Sequence, residues 1–567
     1  MGFINKRPIA SIIIFYAIIV LIKILLAFFI KTPVEFADGY LYAKIARDIY
    51  QFDSGSLAAI AQLGYPPFYP ALLAPAYAFG NMPAVYFTMK IINALISALI
   101  VFPVFFLAME FLNSRKSMFI TGLIALSASN FNISNYIMAE NLFYPLSIFS
   151  IYFIYKSFKE NKVTYYIISG ILVSLAIMTK VIGFALIPVV FLAYLFFKKR
   201  LYLKAKNIFL HYFAMVVILI PFIVNIVIKL SNKTAEESSS SIYYILLNGL
   251  IKNSLPSKIL GYLNWSLFHL SYLFLATGVL FSVYFIIGLI KKKEIGFEEE
   301  NLKLLYFLTI ILTVITIFGI ITAFYGFAAG ASNVRIVGRY FANLLPLIFL
   351  LGYISFEKTE FNQKKIRILL IVVCLVLLVS LFATNFLYSQ LFPLNNQDVA
   401  YIGLVKYVIT NFLHLSLNYS LLAYSSVFLI LISLFYFRDN KKHLIYLAVL
   451  IILLNSIIAY SITYYNSSQW SKSEQYELAL WMNKYDPQTS KILIEESSNG
   501  RINRELQSLN EKTRKSGFIS YIGFWLNDEL YFEKSTEKMD YRITKEKLDK
   551  ELLYETSGKL KIKVYRA

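Results

Sequence analysis

The sequence predicts a polytopic α-helical membrane protein that ends in a small external α/β domain. Three observations lead to this fold class. Of the 567 residues, 58% are hydrophobic, against about 45–50% in soluble domains, and the mean hydropathy is +0.63. The hydrophobic excess is gathered into runs long enough to cross a bilayer. Short clusters of lysine and arginine separate these runs, as in proteins whose loops set the orientation of their helices.

The apolar runs predict about thirteen transmembrane helices. The first run is too long for a signal-peptide core and has no small-residue cleavage site after it, so we expect it to be retained. The expected spans are 9–30, 83–110, 117–136, 141–157, 163–180, 182–198, 207–229, 267–290, 302–325, 340–356, 366–384, 418–437 and 443–465.

One orientation satisfies the charges of all the loops. With the N-terminus in the cytoplasm, every inner loop is basic, as the positive-inside rule requires. The outer segments are then residues 31–82, 230–266 and 385–417, together with the tail after 465. The formal net charge of +21 is thereby explained by membrane orientation, which excludes nucleic acid as a partner. We expect a multi-pass protein of the plasma membrane.

The tail predicts a separate domain, so we divide the chain into a transmembrane catalytic domain, 1–465, and an external domain, 466–567. From Asn466 the sequence is rich in Lys, Glu, Ser and Asn. Helical periodicity over Ser473 to Tyr485 and three strand-like segments predict an α/β fold. We expect this domain to stabilise the protein or contact an acceptor. The strand candidates are 491–495, 518–525 and 560–565.

Asp38 begins an amphipathic segment directly after the first span. Leu41, Ile45 and Ile49 share one helical face, so residues 40–51 predict a helix lying in the membrane interface. An acid at this position can meet both a lipid-borne and a water-borne substrate. The alternative is that Asp38 only caps the helix, because Asp is a favoured N-cap residue.

The other outer-facing charges form a short list of candidates. Glu140 lies in a turn between two spans, Lys180 lies in another, and Arg335 and Arg339 precede a later span. A sugar transfer from a polyprenyl phosphate needs a carboxylate to accept the acceptor's proton and cations to hold the departing phosphate. The alternatives are that Glu140 interacts only with its helix dipole and that Lys180 only extends to the membrane surface.

Four further residues are possible members of the site. Glu35 and Tyr40 flank Asp38. Lys23 lies inside the first span, where an ionisable group is functional by default unless it extends to the interface. His269 is a lone outer histidine, more often structural than a metal ligand. The single cysteine, Cys374, excludes an intrachain disulfide and a cysteine-based metal site.

Several segments resemble the GT-C glycosyltransferases, polytopic enzymes that use polyprenyl-phosphate sugars. This superfamily includes the protein O-mannosyltransferases and the bacterial aminoarabinose transferases for lipid A. The order and sidedness of the segments make the resemblance more specific than any one of them. They are Asp-Gly-Tyr-x-Tyr-Ala from Asp38, Tyr-Pro-Pro-Phe-Tyr-Pro at 65–70, Ala-Glu-Asn-Leu-Phe-Tyr-Pro-Leu at 139–146, Thr-Lys-Val-Ile-Gly at 179–183, and Gly-Arg-Tyr at 338–340.

The resemblance implies an inverting transfer of a sugar from a polyprenyl-phosphate donor to a hydroxyl of a lipid, glycan or protein acceptor outside the membrane. It implies that Asp38 is the catalytic base, that Glu140 is a second acid near the acceptor or a metal, and that Lys180 and Arg339 contact the phosphate. Some members bind a divalent cation, but this sequence offers no complete ligand set, so the cofactor is left open. Mannosyltransferases carry Asp-Glu where this chain has Asp38 and Gly39, so the sugar is also left open.

A transporter or flippase for a lipid-linked or sugar substrate is the competing class. Transporters usually contain internal repeats and bind their substrates near the bilayer midplane. Here no repeat is evident, and the candidate charges other than Lys23 gather at the outer face. A single-subunit oligosaccharyltransferase is disfavoured because the chain lacks the Trp-Trp-Asp tripeptide.

Overall fold

The structure of the chain is a computed structural model. It describes most of the residues of the chain. These are 7–34, 37–52, 65–231, 255–290, 300–328, 338–358, 397–401, 404, 441–486, 491–494, 522–526, 529–531, 539–544, 546–558 and 561–567.

The described residues are mostly helical. Short 3₁₀ turns occur at Ala74–Phe79, Ile133–Asn135, Val181–Ala185, Gly338–Tyr340 and Gln397–Val399. The α-helices are α1 (Pro8–Phe29), α2 (Ala37–Gln51), α3 (Phe68–Leu73), α4 (Met82–Ala98), α5 (Val101–Met109), α6 (Ser114–Ala125), α7 (Ala128–Asn132), α8 (Glu140–Glu160), α9 (Val163–Thr179), α10 (Leu186–Phe197), α11 (Ala205–Ser231), α12 (Leu255–Ala276), α13 (Leu280–Ile290), α14 (Glu300–Ala328), α15 (Leu345–Lys358), α16 (Lys441–Trp470) and α17 (Glu474–Tyr485).

The helices support a multi-pass membrane protein. Within the described residues, four are long and apolar enough to cross a bilayer, or five if α13 and the bent helix before it form one span. Most of the expected spans coincide with helices. The expected spans 366–384 and 418–437 lie outside the described residues, so the count of thirteen stays a prediction.

Besides the short break at residues 99–100 between α4 and α5, two expected spans are interrupted. The span 117–136 is wrong as one helix, because α6 ends at Ala125 and α7 begins at Ala128. The hydroxyl of Ser127 and the amide of Asn130 both donate to the carbonyl oxygen of Ile124, and such side-chain bonds compete with helix continuation. The span 267–290 is bent by 110° between α12 and α13.

The chain forms two compact units that do not follow chain order. Unit 1 comprises residues 1–21, 96–133 and 140–460, and unit 2 comprises 22–95, 134–139 and 461–567. In unit 1, α9 packs between α8 and α11, α13 packs on α15, and α10 packs on α14. The buried residues of these helices are largely aliphatic and aromatic, so apolar packing holds the unit together.

Unit 2 contains the mixed sheet of the tail. Within the described residues the strand order is β2-β1-β3-β5-β4; β1 runs parallel to both of its neighbours, and β5 runs antiparallel to β3 and β4. The strands are β1 (Lys491–Ile494), β2 (Glu529–Tyr531), β3 (Tyr541–Thr544), β4 (Leu552–Glu555) and β5 (Lys563–Arg566).

The described part of the tail contains some of the elements that its sequence predicts. Helix α17 begins after Ser473, whose hydroxyl accepts from the amide of Tyr476, and β1 matches the first expected strand. The expected strand 518–525 is wrong over its described part, because residues 522–525 are helical. There Trp525 is fully buried between Tyr86 and Tyr476. Whether the tail lies outside the membrane stays a prediction.

Helix α2 confirms the helix predicted over residues 40–51, and two of its charged residues are buried. Arg47 and Asp48 are buried together with Leu41 and Ile45. Their side chains pair with each other, Nε to Oδ1 at 3.3 Å. Helix α3 and the 3₁₀ turn after it pack on α2, while Tyr50 and Gln51 at its C-terminal end stay exposed.

Candidate functional site

Three of the predicted charges meet in unit 1. The carboxylate of Glu140 pairs with the ammonium of Lys180, and its Oε1 lies 3.4 Å from Nε of Arg339. We call these three residues the cation cluster. Residues separated by up to about 200 positions in sequence therefore share one carboxylate oxygen.

The ends of two helices position the Glu140 and Lys180 side chains. Glu140 is the first residue of α8, where a negative charge is favoured by the helix dipole. Lys180 lies at the break between α9 and the next 3₁₀ turn. Gly183 makes that break possible, since a Cβ there would lie 2.9 Å from the backbone of Ala176.

Arg339 is fixed through its backbone as well as its side chain. Tyr144, one turn after Glu140 on α8, donates its hydroxyl to the carbonyl oxygen of Arg339 at 2.8 Å. The ring of Tyr340 lies beside both cations, 4.6 Å from the Lys180 ammonium and 5.7 Å from the Arg339 guanidinium carbon. One helix and one ring thus hold both cations together.

The cluster is suited to binding an anion. Its two cations and one carboxylate leave a net charge of +1. Glu140 is 2% exposed, whereas Lys180 is 14% and Arg339 is 27% exposed. The cations therefore reach an accessible edge while the carboxylate stays behind them. A phosphate at that edge would receive charge-assisted hydrogen bonds from both cations.

Asp38 lies in unit 2 within a group of tyrosines. Its Oδ1 accepts the hydroxyl of Tyr65 at 2.6 Å. The ring of Tyr42 contacts the rings of Tyr65 and Tyr69 edge to face, with centroids 5.2 Å apart in both pairs. The first residue of α2 is Ala37, so Asp38 lies in the first turn, and its carboxylate is oriented by a neighbouring side chain.

The remaining candidates have different surroundings. Lys23 and Tyr40 are buried in unit 2, so Lys23 does not extend along an exposed surface. His269 is buried in unit 1, where its Nδ1 lies 2.7 Å from the carbonyl oxygen of Trp265 and its ring packs on Phe341. Glu35 and Arg335 lie outside the described residues. No group of three His, Cys, Asp or Glu side chains that could hold a metal occurs in the described part of the chain.

The sequence reasoning missed Asp398. Both of its carboxylate oxygens are used inside unit 1: Oδ1 accepts from the amide of Ser129 at 3.0 Å and Oδ2 from the hydroxyl of Tyr272 at 2.8 Å. Burial raises the pKa of Asp398, and the hydrogen bonds from Ser129 and Tyr272 partly offset that rise. Its place in the expected outer segment 385–417 was a signal that could have added it to the candidates.

Known proteins resemble this chain in two ways, in the sequence of one segment and in the fold. Residues 65–228 match the family model of the dolichyl-phosphate-mannose-protein mannosyltransferases. No curated protein sequence matches the chain. ArnT from Cupriavidus metallidurans bound to undecaprenyl phosphate is similar in structure, with a TM-score of 0.52 and 12% identity over 98% of both chains. Its apo state gives 0.51 and 11%, also over 98% of both chains.

The oligosaccharyltransferase of Archaeoglobus fulgidus in its apo form gives a TM-score of 0.43 and 14% identity over 90% of this chain and 64% of that one. The similarity to ArnT shows that the chain has the same fold. The family model covers three of the segments that carry the resemblance to the GT-C glycosyltransferases, those at 65–70, 139–146 and 179–183.

Proposed function

We propose that this chain, which has the fold of ArnT, transfers a sugar from a polyprenyl-phosphate donor to an acceptor hydroxyl on the outer face of the plasma membrane. The observation that carries the proposal is the cation cluster, in which Lys180 and Arg339 share Glu140 at an accessible edge. The match to ArnT bound to undecaprenyl phosphate supports a lipid-phosphate donor. The family model covers Glu140 and Lys180.

In the proposed reaction, the acceptor oxygen attacks the anomeric carbon of the sugar. The bond from that carbon to the phosphate oxygen breaks as the new glycosidic bond forms, with inversion of configuration. Asp38 takes the proton of the acceptor hydroxyl, while Lys180 and Arg339 stabilise the charge on the departing polyprenyl phosphate. Tyr65 orients Asp38 through its 2.6 Å hydrogen bond. No step is assigned to a metal ion, and the sugar and acceptor are left open.

The test is sugar transfer by the purified protein from a panel of polyprenyl-phosphate sugars. We expect wild type to release polyprenyl phosphate and Asp38→Asn to lose more than about 100-fold in turnover, within the usual contribution of a general base. The matched control is Asp549→Asn, which changes an exposed carboxylate of the tail. Unchanged turnover in Asp38→Asn would overturn the assignment of the base.

The phosphate assignment needs a binding measurement. We expect Lys180→Met and Arg339→Met each to raise the Kd for polyprenyl phosphate about tenfold or more, because each removes a hydrogen bond to a charged group. Lys199→Met removes an exposed cation and should leave the Kd unchanged. If wild type moves lipid-linked sugar across vesicles without consuming it, the protein is a transporter instead.

A further inference from the structure

The segment Gly338–Tyr340, which carries Arg339, is held by more than the cation cluster. Tyr144 fixes its backbone through the carbonyl oxygen of Arg339. On another side the segment packs directly on Tyr272 of α12. A Cβ on Gly338 would lie 2.0 Å from the hydroxyl oxygen of Tyr272, so only glycine leaves room for that hydroxyl. This contact explains the glycine of the Gly-Arg-Tyr segment, which the proposed chemistry leaves unexplained.

Asp398 determines where the Tyr272 hydroxyl points. The Tyr272 hydroxyl donates to its Oδ2 at 2.8 Å, and the other carboxylate oxygen is held by the amide of Ser129 at 3.0 Å. Both side chains are fully or almost fully buried. A buried carboxylate with two donors has a fixed orientation, because turning it would leave a polar group unsatisfied. The Tyr272 ring is therefore held in one position against Gly338.

The turn that carries Asp398 is itself clamped. Asn455 of α16 donates its amide to the carbonyl oxygen of Gln397 at 3.0 Å and accepts from the amide of Tyr401 at 3.1 Å. The turn Gln397–Val399 also contacts the turn Gly338–Tyr340. An unbroken series of contacts thus runs from Asn455 through Asp398 and Tyr272 to the backbone next to Arg339, all within unit 1.

We propose that Asp398 and Tyr272 are positioning residues for Arg339, which set the place at which its guanidinium meets the donor phosphate. This inference rests on the proposed function. It assigns the two residues no contact with the substrate. Their effect on catalysis is transmitted through the backbone at Gly338, and a guanidinium displaced by about 1 Å loses much of its benefit to a reacting group.

The test is a double-mutant cycle read out as the Kd for polyprenyl phosphate. Tyr272→Phe keeps the ring and removes only the hydroxyl. We expect it to raise the Kd about 5- to 20-fold in the wild-type background and less than twofold in the Arg339→Met background, where no guanidinium remains to be displaced. An equal loss in both backgrounds, or no loss in either, would overturn the proposal, since a general structural role is additive.

Controls separate this proposal from the proposed function. Tyr306→Phe removes another buried hydroxyl of unit 1, bonded to Ser355, and should leave the Kd unchanged. If Tyr272→Phe does not fold, Asp398→Asn keeps the side-chain shape and should give the same cycle. Binding and transfer by wild type with an additive cycle would refute only the positioning role. A wild type that neither binds polyprenyl phosphate nor transfers sugar would refute both.

Discussion

At the scale of single residues, a tyrosine hydroxyl helps to orient the Asp38 carboxylate. The Tyr65 hydroxyl lies 2.6 Å from it. We expect Tyr65→Phe to lower kcat about tenfold and to leave the Kd for polyprenyl phosphate within twofold, because a carboxylate that loses this hydrogen bond is oriented less well toward the acceptor proton. The control is Tyr50→Phe, because Tyr50 lies on helix α2 together with Asp38 and its side chain is exposed. A fall in kcat of the same size in the control would contradict the orienting role.

Glu140 partly neutralises the two cations that we assign to the phosphate. We expect Glu140→Gln to lower the Kd for polyprenyl phosphate several-fold, since the phosphate no longer competes with a carboxylate, and to lower kcat, since the cations lose their common anchor. Binding titrations and single-turnover rates measure the two effects. Glu110→Gln is a matched control, because Glu110 also pairs with two lysines, Lys156 and Lys159. Unchanged binding and turnover in Glu140→Gln would rule out this role.

At the scale of elements, the C-terminal end of α1 is closed by a lysine from α4. The buried ammonium of Lys90 donates to the carbonyl oxygens of Ala27, at 2.5 Å, and Ile30. The Ala27 carbonyl also accepts from the amide of Ile30 at 3.2 Å, so Lys90 adds a second donor where a helix end needs partners from outside its regular hydrogen bonds. We expect Lys90→Met to cost about 1–3 kcal/mol and to lower the apparent unfolding temperature by about 2–5 °C. The exposed Lys31→Met should have no such effect, and equal unfolding temperatures for the two variants would contradict the capping role.

Helix α17 is joined to the β4–β5 hairpin by Glu477, which accepts from Tyr554 at 2.7 Å and from the amide and hydroxyl of Ser557. These hydrogen bonds outweigh burial and lower the pKa of Glu477. A lowered pKa contributes stability that is present above the unfolded value of about 4.3 and is lost as the pH falls through the folded value.

Unfolding temperatures measured from pH 6 down to pH 3 test this contribution. We expect them to fall less steeply for Glu477→Gln than for wild type, because the glutamine has no proton to bind. If the unfolding temperatures of wild type and Glu477→Gln fall equally with pH, ionisation of the Glu477 carboxylate contributes nothing to stability over this range.

At the scale of the whole molecule, the orientation of the chain stays a prediction that labelling can test. In a Cys374→Ala background, we expect Lys550→Cys in the tail to react with an impermeant maleimide on intact cells. Lys199→Cys, in an expected inner loop, should react only after the membrane is opened. Both positions are exposed. The reverse pattern would invert the topology and remove the proposed site from the outer face.

The sequence predicted what local patterns encode. The apolar runs predicted most of the helices. The basic loops predicted which segments face outward, and Glu140, Lys180 and Arg339 were grouped because all three lie in such segments. It did not predict the break at Ser127, the helical residues around Trp525 or the role of Asp398. Each of these depends on hydrogen bonds or aromatic packing specific to its surroundings, and those of Asp398 and Trp525 join residues far apart in sequence, which periodicity cannot report.

Unit 2 is built from segments far apart in sequence, and this has a consequence for folding during synthesis. Its aromatic contact between Tyr86 and Trp525 joins residues on either side of about 365 residues that belong almost entirely to unit 1. A ribosome adding about 5–20 residues per second needs about 20–70 s to synthesise that interval. The first part of unit 2 must wait that long for the partner that completes its core, so we expect its apolar surface to be a site of misfolding or aggregation during synthesis.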